Sequence, residues 1–423
     1  MGLRVRILWV KAGGLVPLDT GGKIRSYHIL KELASRHEIT FFTFYDAHGD
    51  DIHRDLERLF ARVVLVPLSL PAPRSRQECA EYARNFFTTR PYNMAKYCRP
   101  AVANKLLELL QKQRYDVIVC DFVIAAGVVP WEFPVPKVLF THNVEAMIWR
   151  RHLEVARNPG LKAVAWREYR TMARAERIYV TRADHVLAVS ENDRDFFARL
   201  VDSRKISVIP TGVDTEYFQP SASEERPGLL VFVGSMDWLP NEDAVFYFAE
   251  QILPRVRRNI PQVNLLIVGR RPSRRLQALA AKSDALQITG QVADIRPYVQ
   301  GASVCVVPLR VGGGTRLKIF EAMAMGKAIV STSIGAEGLP VKHGENIILA
   351  DDPEEFARGV VDLLRNPVVR HRLGDAARQL VERNYSWSAV SADFDTVLSR
   401  VGGEWRDGQV RLVAAPGQVT HVS

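Results

Sequence analysis

A chain of 423 residues, 47% apolar and 25% charged, is long enough for two or three domains with sizeable cores, and this composition excludes a disordered or fibrous protein. Four scattered cysteines (Cys79, Cys98, Cys120, Cys305) without a Cys-x-x-Cys pair exclude a disulfide scaffold and a zinc cluster, and fit reduced thiols in a cytoplasmic compartment. The net charge of +10 is uneven: residues 1–215 hold 33 Lys+Arg against 24 Asp+Glu and the remainder 24 against 23, so only the first half is adapted to an anionic partner or surface. Arg4, Arg6 and Lys11 break the N-terminal apolar patch, which argues against a signal peptide. No apolar run reaches the ~18 residues needed to span a bilayer.

Residues 3–10 read as a first strand, followed by a loop at 11–22 with two glycine pairs. A helix over 23–36 places Ile24, Tyr27, Leu30 and Leu33 at helical spacing, and 37–44 is a second strand. Gly21 and Gly22 at the helix start suit either a phosphate or sugar approaching the backbone, or a plain turn. The strict Gly-x-Gly-x-x-Gly fingerprint is absent, which argues against a Rossmann dehydrogenase. Strands recur near 63–66, 117–120 and 137–140, with helices near 52–61, 77–87 and 101–113. Such alternation marks a parallel sheet covered by helices. Thr141, His142 and Asn143 follow the strand at 138–140, on the carboxyl edge where such sheets bind ligands. His142 there is either a ligand contact or a satisfied structural histidine. Residues 148–182 read as one long helical stretch with nine Lys+Arg, three Glu and the aromatics Trp149, Trp166, Tyr169 and Tyr179. That pattern suits an anionic membrane interface, or the solvated face of an ordinary helix. Strands at 183–190 and 206–214 close the first pattern, and the polar segment 219–228 reads as a linker.

The second pattern runs strand 229–236, helix 242–259, strand 263–269, helix 272–282, strand 286–289 and helix 294–300. The apolar run 304–308 is then a buried strand, followed by Gly312–Gly314 and a helix that ends at Gly326, before a strand at 328–331. A glycine turn feeding a helix presents free amides and the positive end of the dipole to an anion. Thr315 suits the N-cap, with Arg316 and Lys318 in the first turn. Each cation about 4 Å from a phosphate contributes roughly 4 kcal/mol at an effective dielectric near 20. Lys318 and Glu321 share one helix face, and a carboxylate beside phosphates is costly unless it accepts hydrogen bonds, for which vicinal ribose hydroxyls are suited. The bland alternative is a tight turn with solvated Arg316 and a Glu321–Lys318 pair. Helices at 353–365, 367–384 and 386–400 follow, the last able to return to the first domain, and the final twenty residues read as a frayed tail.

The segments TGGKIRSYH (20–28), FTHN (140–143), VIPTGVDTEYF (208–218), VFVGSM (231–236), IVGR (267–270), ITGQVADI (288–295) and GGGTRLKIFEAMAMGKAIVST (312–332) resemble, in this order, glycosyltransferase family 4. The spelling is similar to bacterial sugar transferases of exopolysaccharide assembly. The resemblance implies an α/β fold of two Rossmann-like doubly wound domains facing across a cleft (GT-B). The expected layout is an acceptor-side domain over 1–218, a linker over 219–228, a nucleotide-sugar domain over 229–384, a returning helix over 385–402 and a tail over 403–423. It implies a retaining hexosyltransferase that moves a sugar from a nucleotide-diphosphate sugar to a glycan or lipid-linked acceptor. That enzyme would be cytoplasmic, peripheral on the inner face of the membrane, with no cofactor beyond the nucleotide sugar and no nucleic-acid partner. Donor contacts would come from Gly21, Gly22, Gly234, Arg270, Gly313, Gly314, Thr315, Arg316, Lys318 and Glu321, with His142 on the transferred sugar.

Two departures stand out. Gly313 occupies the position of the first Glu in the family's Glu-x7-Glu pair. The stretch SMDWLPNED (235–243) lacks the bases that the family often carries there, so Arg316 and Lys318 are expected to supply that charge. The Asp-x-Asp at 393–395 falls on a terminal helix, so no essential metal is expected. A nucleotide-sugar epimerase of related shape and a non-enzymatic binder of anionic polymers are the rival readings.

Overall fold

In the computed structural model, which describes residues 4–18, 20–46, 51–73, 75–156, 158–221, 225–311 and 317–414, the apolar runs pair into two parallel sheets. Each sheet has its own compact unit, one comprising Met1–Pro210 with Ser391–Ser423 and the other Thr211–Val390. The first sheet contains β1 (Arg6–Ala12), β2 (Glu38–Tyr45), β3 (Arg62–Pro67), β4 (Val117–Asp121), β5 (Lys137–Phe140), β6 (His185–Ala188) and β7 (Ile206–Val208), in the order β3-β2-β1-β4-β5-β6-β7. Every residue of β4, β5 and β6 is buried, as expected where helices cover both faces and the strand sequences are near-continuously apolar.

The second sheet contains β8 (Arg226–Val233), β9 (Asn264–Val268), β10 (Leu286–Gly290), β11 (Ala302–Val307), β12 (Ile329–Ser331) and β13 (Ile348–Leu349), in the order β10-β9-β8-β11-β12-β13. Both units are therefore doubly wound, and the strand order reverses between β1 and β4 and again between β8 and β11. Ligands bind outside the carboxyl ends of strands at such reversals.

Several local expectations change. The segment 219–228 lies inside the second unit instead of joining two units. Glu225 is ion-paired with Lys327 and with Arg370 at 2.8 Å, and Arg226 already begins β8. The stretch 148–182 is two helices, Glu145–Val155 and Pro159–Arg182, because the Asn158 side chain caps the amides of Gly160 and Leu161 and Pro159 starts a new helix. The helical stretch Leu239–Asn259 contains a π turn at Phe248–Ile252 just before Pro254, whose nitrogen has no hydrogen to donate.

The final helix, Trp387–Ala414, extends past 403, where a tail was expected. From Ser391 it belongs to the first unit. Phe394 stacks on Trp9 at 5.5 Å and meets Phe140 edge-on, while Asp395 pairs with Arg36 and His37, each at 2.8 Å. One aspartate of the Asp-x-Asp is thus engaged in structural ion pairs.

Candidate functional site

In the first unit, four polar side chains converge at the carboxyl ends of β1, β4 and β5. Asp121 ends β4 with its carboxyl fully buried. It accepts from Trp9 Nε1 at 2.8 Å, Lys11 Nζ at 3.1 Å and His142 Nε2 at 2.7 Å. Lys11 first, then His142, hold its carboxyl well below the usual carboxylate range, against the effect of burial. Arg25, also buried, lies 3.3 Å from His142 Nδ1 and donates to the carbonyls of Thr141 at 2.6 Å and Ile209. Its guanidinium lies over the Phe140 ring at 4.4 Å, and burial lowers it to about 9, still charged at neutral pH.

This geometry fixes the tautomer of His142. Arg25 can only donate, so Nδ1 accepts, and the proton sits on Nε2, facing Asp121. Burial pushes the imidazole down to about 4, so the ring is neutral at physiological pH and both nitrogens are engaged. Ser26 joins the group, accepting from Lys11 Nζ at 3.1 Å and donating to the Gly22 carbonyl at 2.9 Å. Gly22 borders the ring: a Cβ built there would lie 3.7 Å from His142. Gly21 and Gly22 open the helix Gly21–Ala34, whose N-cap Thr20 makes no side-chain capping bond. Phe122, next to the imidazole at 5.4 Å, holds a φ of 80°. That left-handed backbone is unfavourable for a bulky side chain and tends to occur at functional sites.

In the second unit, β8 runs into Gly234, where a Cβ would lie 2.7 Å from Asn241 and 2.9 Å from Lys318 Nζ. Only glycine lets the ammonium come this close to the backbone. Lys318 Nζ donates to Asn241 Oδ1 at 2.6 Å and lies 4.5 Å over the Phe232 ring. It therefore sits at the reversal between β8 and β11. Glu321, one turn further along the helix Leu317–Ala324, lines a narrow pocket with Lys318, Val231, Val233 and Val307. Burial pushes its carboxyl up to about 7, with Lys318 pulling the other way. Among the described residues its carboxyl has no hydrogen-bond partner.

Arg270 Nε donates to Ser235 Oγ at 2.9 Å, and Arg271 pairs with Asp237 at 3.1 Å. The loop after β8 thus receives its bases from the end of β9. Gly313, Gly314, Thr315 and Arg316 lie outside the described residues. Of the expected site residues, the structure gathers Gly21, Gly22 and His142 at one reversal, and Gly234, Arg270, Lys318 and Glu321 at the other. Lys11, Arg25, Asp121 and Asn241 are site residues beyond those expected from sequence. Arg25 carried a readable signal: it shares the i, i+4, i+8 stripe of the buried Ile29 and Leu33, where a charge is out of place.

Comparison with known proteins agrees with this fold. Residues 20–217 match the model for Glycosyltransferase Family 4, and residues 227–366 match that for Glycosyl transferases group 1. The chain is 31% identical over 237 residues to the phosphatidyl-myo-inositol mannosyltransferase of Mycobacterium tuberculosis, covering 53% of this chain and 61% of that relative. An uncharacterized glycosyltransferase of Methanocaldococcus jannaschii is 25% identical over 236 residues, 52% of this chain and 59% of the relative. The matched region therefore spans less than two thirds of either relative's length. Among solved structures, sucrose-phosphate synthase from Thermosynechococcus elongatus superposes with a TM-score of 0.68 at 18% identity, over 95% of this chain and 100% of that one. Anabaena HepE in complex with UDP-glucose gives 0.62 at 16%, over 94% and 100%. At these identities the likeness shows a shared fold.

Proposed function

The chain belongs to the glycosyltransferases, with a family 4 region followed by a group 1 region, and from that premise we propose a retaining, metal-independent hexosyltransferase. Its donor is a nucleotide-diphosphate sugar, and its acceptor a glycan or lipid-linked glycan of cell-surface polysaccharide. The observation that carries this reading is the Lys318 ammonium packed against Gly234, with the Glu321 carboxyl, unpartnered among the described residues, beside it. A diphosphate at the strand reversal would meet Lys318, and the ribose hydroxyls would donate to Glu321. The loop residues Gly313, Gly314, Thr315 and Arg316 would add amides and a second cation.

Breaking the sugar–phosphate bond leaves its electron pair on the phosphate oxygen, and stabilising that charge is the main catalytic demand. Fixed cations and a helix N-terminus meet it without a metal. The acceptor hydroxyl attacks from the face the phosphate leaves, and its proton passes to that phosphate. His142, neutral and hydrogen-bonded through both nitrogens, would touch the sugar from the Gly22 side as a shaped surface, without a role in proton transfer. The names of the relatives support the substrate classes: one is a mannosyltransferase of a phosphatidylinositol, and HepE was solved with UDP-glucose.

No helix among the described residues is long and apolar enough to cross a membrane. We place the protein in the cytoplasm, attached peripherally to an anionic membrane face through its basic first unit. A thermal-shift panel of nucleotide sugars in EDTA tests the donor reading. A ligand at 100 times its dissociation constant stabilises by about 2.7 kcal/mol, so one nucleobase class should raise the melting temperature. No response from any nucleoside diphosphate or its sugars would overturn the reading.

A further inference from the structure

The helices Glu145–Val155 and Pro159–Arg182 form a hairpin that stands off the carboxyl edge of the first sheet. β5 ends at that edge and the second helix delivers the chain to the amino end of β6, so the first helix runs outward and the second runs back. Glu176 fixes the level of the edge, its carboxyl accepting from the amides of Glu145 at 2.6 Å and Ala146 at 3.3 Å. From Glu176 to Trp166 the helix climbs about 15 Å beyond that level.

The turn at 85–90 is fastened to this outer part. Arg167, only 4% exposed, pairs with Glu168 and donates to the carbonyls of Asn85, Phe86 (3.3 Å), Thr88 (3.2 Å) and Arg90 (2.9 Å). Such a buried guanidinium leaves the turn little freedom, yet Phe87 at its apex is 90% exposed. Trp166, next to Arg167, is 50% exposed, and Leu161 nearer the tip is 63% exposed. An aromatic ring so exposed on a turn so firmly fastened is a candidate contact, and the charges beside it say what kind.

The exposed charges around it are mainly basic, and the exposed carboxylate of the first helix, Glu154, is paired with Arg150 at 3.0 Å. Both acidic residues of the helix Pro159–Arg182, Glu168 and Glu176, are buried. Arg170, Arg174 and Arg177 recur at helical spacing from Trp166 and are exposed, with Arg170 stacked over the Trp166 ring at 5.1 Å. Arg84 and Arg90 flank Phe87 and are exposed too. Exposed aromatic rings with Arg84, Arg90 and Arg170 beside them, and Arg174 and Arg177 further back on the same helix, complement a bilayer interface, where aromatic rings settle at headgroup depth and cations meet anionic lipid.

We propose that this outer part of the hairpin is the membrane-docking surface, with Phe87 and Trp166 entering an anionic leaflet and Arg84, Arg90 and Arg170 seated on its headgroups. The inference rests on the peripheral attachment proposed above and gives it a place. It changes the residues involved: Arg167 is an internal pin, and the leading contact, Phe87, comes from outside 148–182. Standing off the carboxyl edge beside His142, a docked tip would hold that edge near the membrane plane.

The test uses the full chain, co-sedimented with phosphatidylcholine vesicles with and without phosphatidylglycerol. Wild type should bind only the anionic vesicles and release at high salt. Phe87→Ser should lower the partition coefficient about tenfold, with unchanged melting temperature and unchanged donor-induced shift. Arg84→Gln/Arg90→Gln/Arg170→Gln should lower binding and flatten its salt dependence. Trp166→Phe should remove a blue shift of tryptophan emission seen in wild type on anionic vesicles. Wild type that ignores anionic vesicles would overturn the attachment itself. Wild type that binds, while Phe87→Ser and the triple variant bind equally well, would overturn only this surface. A dimer that Phe87→Ser dissociates, with no vesicle binding, would assign the tip to a second copy of the chain and overturn the proposal.

Discussion

Replacing Glu321 with Gln removes a carboxyl whose titration the fold has displaced. Burial moves it from 4.5 to about 7, so between those values the folded protein keeps a proton that the unfolded chain has released. The folded state is therefore favoured at this position below about pH 4.5 and loses that advantage as pH rises to about 7. The loss is about 1.4 kcal/mol per pH unit, or roughly 3 kcal/mol over the whole interval. For a unit of this size, 1 kcal/mol corresponds to about 2–4 °C in melting temperature. Glu321→Gln, which cannot titrate, should gain on wild type by roughly 5–10 °C between about pH 5 and pH 8. Differential scanning fluorimetry of the two proteins at each pH reads this gap, and the other titrating groups cancel in the difference. The same displacement predicts that wild type loses affinity for a nucleotide sugar, itself without a group titrating near neutrality, by about tenfold per unit below pH 7, while Glu321→Gln shows a flat profile. A melting gap that does not change with pH would refute the burial argument, and a flat affinity profile in wild type would refute the hydroxyl-accepting role.

Lys318→Ala should weaken nucleoside diphosphate binding by about 1.5–3 kcal/mol and nucleoside binding little, read by calorimetry; equal losses would show that Lys318 does not meet phosphate. Asp121→Asn leaves Lys11 and Arg25 without their shared carboxylate and should cost about 3–5 kcal/mol of stability; a loss under about 1 kcal/mol would mean the buried charges are solvated. Gly22→Ala places a methyl at an ordinary contact distance from His142, 3.7 Å, so the protein should fold normally while its turnover drops if substrate meets the backbone there; unchanged turnover would remove Gly22 from the site.

The doubly wound sheets were legible because fully buried parallel strands have an unmistakable apolar run, as in IVC before Asp121 and VLF before Thr141. The connection near 211–228 was not, because its Pro, Ser and Glu content resembles a linker. The partners that fasten Glu225, Lys327 and Arg370, are remote in sequence. Lys318, Glu321 and Gly234 could be read because glycine turns and helix starts are local patterns. The Lys11–Asp121–His142–Arg25 group could not, since its members come from three strand ends and a helix, and only tertiary packing brings them within hydrogen-bonding distance. Arg167 misled for a related reason: within a basic helix it looks like any surface cation, and nothing local shows the four carbonyls that surround it.

Sugar transfer itself is tested most directly by incubating the protein with a labelled nucleotide sugar, a lipid or glycan acceptor extract and EDTA, then determining the anomeric configuration of the product by NMR. Labelled acceptor with the donor's anomeric configuration should form with release of nucleoside diphosphate, and both should be abolished in Lys318→Ala. An inverted product, a requirement for a divalent ion, or an epimerised sugar appearing without acceptor would contradict the proposed mechanism.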